Sequence, residues 1–352
     1  LLFIQQMNNL EFQKLLQDTT DASARTNTKK YWLVRTDDGA NYDTFSNGNF
    51  VALNLQDIPV DFIRQVRDQG TPKERIAAIK EKMMDLQTQN RITLPYSPLD
   101  NGYSSNMGRL AGQIDSIALE MKYGDIVLIP SQGASSLKIG KIIDADLATD
   151  EEITRTFSFA RKVEWIKEIS KKRLEANLYK ALGAHQAVCD ITKYASVIER
   201  NYTSYFVIDE NYHYVLTVNA ESISAYEISA LVQDVLKTVS KISDTYDLGI
   251  DVRDIQLSIN VNSPGKMDFI STGKKVILTM AVVAALAGGT LQYGELEIQT
   301  KGLFRNLVDA INDWKDAEQE REHKQQLFDH YKKSLGVNSV EDWNAMVDEE
   351  EK

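Results

Sequence analysis

Glu120-Met121-Lys122 has the acid-x-Lys order with which restriction-type nucleases hold a divalent ion and polarise water. That chemistry also needs a further acidic residue on an adjoining strand, and this triplet falls at the end of a predicted helix. The strand-borne stretch from Glu295 through Glu297 to Lys301 has the wrong spacing for the same task. Ser271-Thr-Gly-Lys-Lys275 ends like a phosphate loop but lacks its glycine spacing. No G-x-G-x-x-G, G-x-S-x-G or H-E-x-x-H motif occurs. The four histidines, His185, His213, His323 and His330, stand too far apart for a metal site, and the last two read as solvated on a charged helix. Cys189 is the single cysteine, which excludes an intramolecular disulfide and suits a reducing cytosol. The residues therefore predict a protein without catalytic side chains, cofactor or metal.

The 352 residues leave room for two or three domains, and 43% hydrophobic with 26% charged residues is the composition of a globular chain. A net charge of −11 makes the surface as a whole repel nucleic acid and anionic lipid. Contact with either must come from a local patch. RKVEWIKEISKKR, residues 161 to 173, supplies one, or else the solvated face of a helix. The opening LLFIQQMNNLEFQKLL lacks the basic start of a secretory signal and spaces its apolar residues as a short amphipathic helix.

YWLVR and FVALNL read as strands, residues 60 to 90 as helical, and 94 to 106 as a loop. GRLAGQIDSIALEM returns to helix, DIVLIP and LKIGKII are two short strands around the loop SQGASS, and a helix is predicted from Arg173 to Leu182. Beyond residue 200, SYFVI and YHYVLTV form a predicted hairpin around Asp209-Glu210-Asn211. Ser224 to Glu227 is a capping box for a helix with Ile228, Leu231, Val232, Val235, Val239 and Ile242 on one face. IQLSINV alternates as a half-buried strand, NSPG is a turn, and GELEIQ is a short strand. From Asp309 the chain holds 13 acidic and 6 basic residues and reads as a charged helix with a frayed tail.

KYWLVRTDDG, FSNGNFVALN, GQIDSIALEMKYGDIVLIP, LKIGKI and RKVEW, in that order, resemble EVE-like domains of the PUA-like superfamily. These include the N-terminal modules of many modification-dependent restriction endonucleases. The resemblance covers residues 29–200. It implies a bent β-barrel with flanking helices and a pocket for one base or nucleotide. A base read singly must be unstacked, and an aromatic or guanidinium plane then faces it. The planes implied are Trp32, Arg35, Tyr42, Phe45 and Trp165, with hydrogen bonds from Ser131, Gln132 and Ser135 and a phosphate contact from Lys138. Each has a plainer alternative: Trp32 as strand core, Trp165 packing an amphipathic helix, Gly124-Asp125 as a tight turn. Asn54-Leu55 stands where such domains often carry a glycine and a tryptophan.

KKVILTMAVVAALAGG sets the second half apart. From Val276 to Leu291 there are 16 residues, about 24 Å of helix against a hydrocarbon core of about 30 Å. The stretch is apolar on every side, so it must be surrounded by core, by partner subunits or by lipid. Ala281, Ala285 and Gly289 form one ladder of small residues and Ala284 with Gly288 a second, a spacing that lets helices approach closely. Three placements stay open: a buried helix, a bundle in a soluble homo-oligomer, or a membrane-inserting segment over residues 275–291. The small size of the second half favours oligomerisation.

The sequence thus predicts an α+β chain in four parts. Residues 1–28 are a helix and linker, and 29–200 a PUA-like bent barrel with flanking helices. Residues 201–308 form a smaller α+β domain with a hairpin, an amphipathic helix and an all-apolar helix, and 309–352 an acidic tail. The resemblance adds a prokaryotic antiviral-defence setting, because EVE-like modules recur beside effectors there. The expected function is sensing of a nucleotide or nucleic-acid feature by the front half, with the back half oligomerising as a membrane-disrupting or channel effector. The expected location is the cytoplasm or the inner membrane. The alternative is a soluble reader of modified or single-stranded DNA that recruits a separate nuclease.

Overall fold

A computed structural model describes residues 29–53, 55, 58–68, 70–171, 174–183, 186–203, 205–218, 225–260, 265–273, 275–276, 291–293, 296–298 and 337–339. The chain divides into two compact units, with the break between Val197 and Ile198. The architecture is mixed α+β.

The first unit begins with β1 (Tyr31–Val34) and runs through α1 (Tyr42–Gly48), β2 (Phe50–Leu53), α2 (Val60–Val66), α3 (Pro72–Thr88) and α4 (Tyr103–Asp115). A wider π-type turn over Ser116–Glu120 leads into β3 (Ile126–Pro130) and β4 (Ser136–Ile142). Then follow α5 (Glu151–Thr154), β5 (Phe159–Ser170), α6 (Ala176–Leu182), β6 (Val188–Asp190) and α7 (Ala195–Glu199), which straddles the break. The predicted continuous helix over 60–90 is two helices. Gly70 turns the chain with φ +69°, and a capping box of Thr71 and Glu74, with Pro72 in the first turn, restarts it.

Six strands form a curled half-barrel in the order β2-β5-β4-β3-β1-β6, antiparallel except for the parallel pair β1–β3. The parallel pair requires the long helical crossover between them. The concave face carries Trp32, Val34, Val127, Ile129, Ile142 and Val163 into one core with Ile63, Ile79, Met83, Leu110 and Ile114 of the helices.

The predicted helix over residues 161 to 173 is a correction: Phe159–Ser170 is a twelve-residue strand. Lysine and glutamate suit helices, but here they alternate with Val163 and Ile169 and pair across strands, Lys138 with Glu168 and Lys141 with Glu164. The basic patch does not line one helix face, since Arg161 is 1% exposed.

The second unit contains β7 (Tyr205–Ile208), β8 (Asn211–Val218), α8 (Ala225–Tyr246), β9 (Gln256–Asn260), β10 (Gly265–Ser271), β11 (Leu291–Tyr293), β12 (Leu296–Ile298) and β13 (Val337–Ser339). The hairpin turns on Asp209 and Glu210, both at positive φ, as a two-residue type I′ loop demands. The main sheet runs β13-β8-β10-β9 with β7 also on β8. On α8, Leu231, Val235 and Val239 are buried at four-residue steps. The capping serine Ser224, the NSPG turn and residues 277–290, with Ala281, Ala284, Ala285, Gly288 and Gly289, lie outside the described residues. So does most of the predicted acidic helix, but Val337–Ser339, expected within it, pairs as a strand with β8. Among the described residues, no helix is long and apolar enough to cross a membrane.

Candidate functional site

Backbone register aligns one row of residues across four strands: Trp32 on β1, Val127 on β3, Gly140 on β4 and Trp165 on β5. Facing partners in a ladder share a side of the sheet, so both tryptophans belong to the concave face. A bulge in the β4–β5 pairing between Ile139 and Gly140 adds one residue to β5 and sets Trp165 on the same side as Lys138 and Glu168. Gly140 is what admits the indole. A Cβ there would stand 2.6 Å from Trp165 Cε3 and 2.3 Å from Val163 Cγ1.

Around Trp165 the wall is polar. Lys138 places its ammonium 5.6 Å from the centre of the indole and donates a hydrogen bond to Ser46 on α1. Ser136 donates to the Glu168 carboxylate. Tyr42, one turn before Ser46 on α1, places its hydroxyl beside Ser136 and Glu168, close enough to interact with both but outside hydrogen-bond geometry with either. Burial, with Glu168 nearby, pushes its phenol well above the ordinary value. Two buried donors on this wall, Tyr42 Oη and Trp165 Nε1, have no partner in the protein. Buried polar atoms are normally satisfied, so water or a bound group is the natural partner of this pair. An indole N–H only donates and a phenol O–H donates readily, so the complement carries acceptor atoms.

The remaining residues implied by the EVE resemblance separate from this group. Trp32 is a correction: it is fully buried, and its indole N–H donates to Asp125 at 2.8 Å, which leaves no face for a base. Phe45 is a second one, 1% exposed and packed edge-on against Phe157 at 5.5 Å and tilted on Phe50 at 5.3 Å. Arg35 donates to the Leu182 carbonyl at 3.4 Å and stands 3.9 Å from Asp38. Ser131 and Ser135 bond each other at 2.9 Å and shape their own loop, while Gln132 is exposed at its tip. Leu55, at the place of the absent tryptophan, packs against the core. The structure therefore gathers Tyr42, Lys138 and Trp165, and adds Ser46, Ser136, Gly140 and Glu168. Alternation along β4 and β5 carried the signal for Ser136, Gly140 and Glu168, hidden by the helical reading of β5.

Other polar clusters pair within the protein. Asp125 accepts from Trp32 Nε1 and from the backbone N–H groups of Lys30 and Lys122, which makes it the tie of the β3 turn. Arg161 meets Asp144 at 2.7 Å and the carbonyls of Met121 and Ile117. Glu120 of the acid-x-Lys triplet is paired with Lys30 at 2.9 Å and Arg75 at 3.5 Å, so it serves the fold. In the second unit Asp268, 1% exposed, is shared between His213 Nδ1 at 3.0 Å and Arg200 at 3.4 Å. His213 stacks on Phe206 with ring centres 4.3 Å apart. Sequence reading missed this pair because its members lie 55 positions apart and meet only through β8–β10 register. Among the described residues, no group of histidine, cysteine and acidic side chains is arranged to hold a metal. No family model, curated protein or solved structure matches this chain.

Proposed function

We propose that the concave wall of the first unit senses one flat, acceptor-bearing ring of a nucleotide or nucleic-acid strand, in the manner of the EVE-like modules its sequence resembles. The observation that carries this reading is the orphan pair, Trp165 Nε1 and Tyr42 Oη, beside the ammonium of Lys138. Trp165 supplies the stacking plane, its N–H and the Tyr42 hydroxyl read acceptor atoms, and Lys138 meets negative charge. In the same reading the protein is a sensor and not an enzyme. The apolar stretch of the second unit assembles copies into a defence effector at the membrane, which rests on the small-residue ladders of 281–289.

A thermal-shift screen of the full chain with nucleotides, short single strands and modified-base duplexes tests the sensor. Tyr42→Phe removes an unpaired buried hydroxyl, so the ligand-free variant is as stable as the parent or more so, by about 1 kcal/mol. The ligand-induced shift nevertheless shrinks in this variant and vanishes in Trp165→Ala. A parent that responds to none of these ligands, or variants that respond as fully as the parent, refutes the pocket. For the effector part, native mass in detergent is expected to show an oligomer that Val283→Glu dissociates. Identical monomers would end that idea.

A further inference from the structure

The second unit's sheet has an open rim. β9 pairs with β10 over five residues without a bulge, and among the described residues no strand pairs with its other side. Strands left at an edge are normally blunted by charge, proline, a bulge or brevity. In the first unit the edge strand β6 is blunted in this way. It has three residues and ends on the exposed Asp190, and the Gln113 side chain accepts from the backbone N–H groups of Ala187 and Val188. The QLSIN of β9 has none of these devices.

Register shows which residues meet the open edge. Ile259 lies opposite Met267 and, one strand further, Leu216, while Leu257 lies opposite Phe269 and Tyr214. Met267, Phe269, Tyr214 and Leu216 are buried, Leu257 is half-buried, and Ile259 is 40% exposed. The apolar face of the sheet therefore runs out to its rim and is exposed there. The pattern is also self-complementary about Ser258. In an antiparallel pair of two β9 strands centred on that residue, Leu257 of each copy stands opposite Ile259 of the other, Gln256 opposite Asn260, and Ser258 opposite itself. Like meets like at every position, and the apolar rows continue across the axis. A two-fold axis demands this of a surface that meets its own copy.

We propose that β9 is the seam of a homodimer, in which two copies join their second-unit sheets edge to edge. The seam rests neither on the pocket nor on the apolar stretch 275–291.

The test is sedimentation of the full chain in detergent-free buffer, with thermal melts to confirm folding. The parent is expected to be a dimer. Ile259→Lys puts a charge at an exposed rim position and keeps a cooperative melt. It weakens the dimer about tenfold or more, since each copy now sets an ammonium against an apolar row. Cys189 is the single cysteine, so Ser258→Cys in a Cys189→Ser background reads the register. Cβ atoms facing each other across the axis stand about 4.5–5.5 Å apart, and mild oxidation links the two copies. A parent that stays monomeric overturns the seam; protection of its β9 amides from hydrogen exchange then shows that another segment of the same chain covers the edge. A dimer that survives Ile259→Lys but not Val283→Glu belongs to the apolar stretch and overturns the seam as well. A dimer lost in Ile259→Lys whose Ser258→Cys variant never links refutes the two-fold pairing of β9.

Discussion

Trp32 and Trp165 stand at opposite ends of one row of the half-barrel, on the same face, with only Val127 and Gly140 between them. At the Trp32 end the indole has its partner in Asp125, and on β5 itself, four residues before Trp165, the Arg161 guanidinium is met by Asp144 and two backbone carbonyls. At the Trp165 end the indole N–H and the Tyr42 hydroxyl are buried and unmet. A satisfied network stabilises the fold, and an unsatisfied one costs stability unless a ligand completes it. In the proposed reading the two ends of the row divide structure from binding, although each is built around a tryptophan.

The largest break is in the closed networks. Arg161→Ala takes the guanidinium from Asp144, which keeps only the Lys162 backbone N–H, and from two carbonyls, and the first unit should lose about 3–5 kcal/mol in denaturant unfolding. Asp125→Ala leaves the Trp32 N–H and two backbone donors without their acceptor, for a loss of about 2–3 kcal/mol. At the open end, Gly140→Ala forces the Trp165 ring off its seat, with about 1–3 kcal/mol of overpacking. This variant also loses the ligand-induced shift, whereas Asp125→Ala keeps it under conditions where the variant is folded. If Asp125→Ala abolished the shift while Gly140→Ala preserved it, the assignment of the two ends would be reversed.

The smallest effect is in alkali. The folded Tyr42 phenol ionises above its ordinary value of 10.0 because it is buried, with Glu168 adding to the shift. Above that value the unfolded chain releases the proton first, so this residue's contribution to stability is full below about pH 10 and declines as pH rises beyond it. The gap in urea midpoint between parent and Tyr42→Phe should therefore widen, in favour of the variant, from about pH 9 to about pH 11. A constant gap would show that the phenol is solvated like any surface tyrosine.

Much of the framework was legible along the chain. YWLV, IVLIP and SLKIGKI show the β-rich runs of buried strands, and the residues of α8 repeat at helical steps. β5 was misread because its charged residues, Lys162, Glu164, Lys167 and Glu168, are good helix formers locally and become strand residues only when β2 and β4 flank them. Of the implied pocket, Tyr42, Lys138 and Trp165 converge, while Trp32 and Phe45 went to the core. An aromatic side chain serves equally as core or as platform, and only its neighbours distinguish the two.

Periodicity and turn chemistry act between residues a few positions apart, and so YWLV, IVLIP, SLKIGKI, the α8 helix and the Asp209-Glu210 hairpin were settled by the sequence alone. Satisfaction of buried polar groups acts between residues that register brings together: Trp32 with Asp125 across 93 positions, Lys138 with Ser46 across 92. Which tryptophan is sealed and which is left wanting a partner was therefore decided only in the folded sheet.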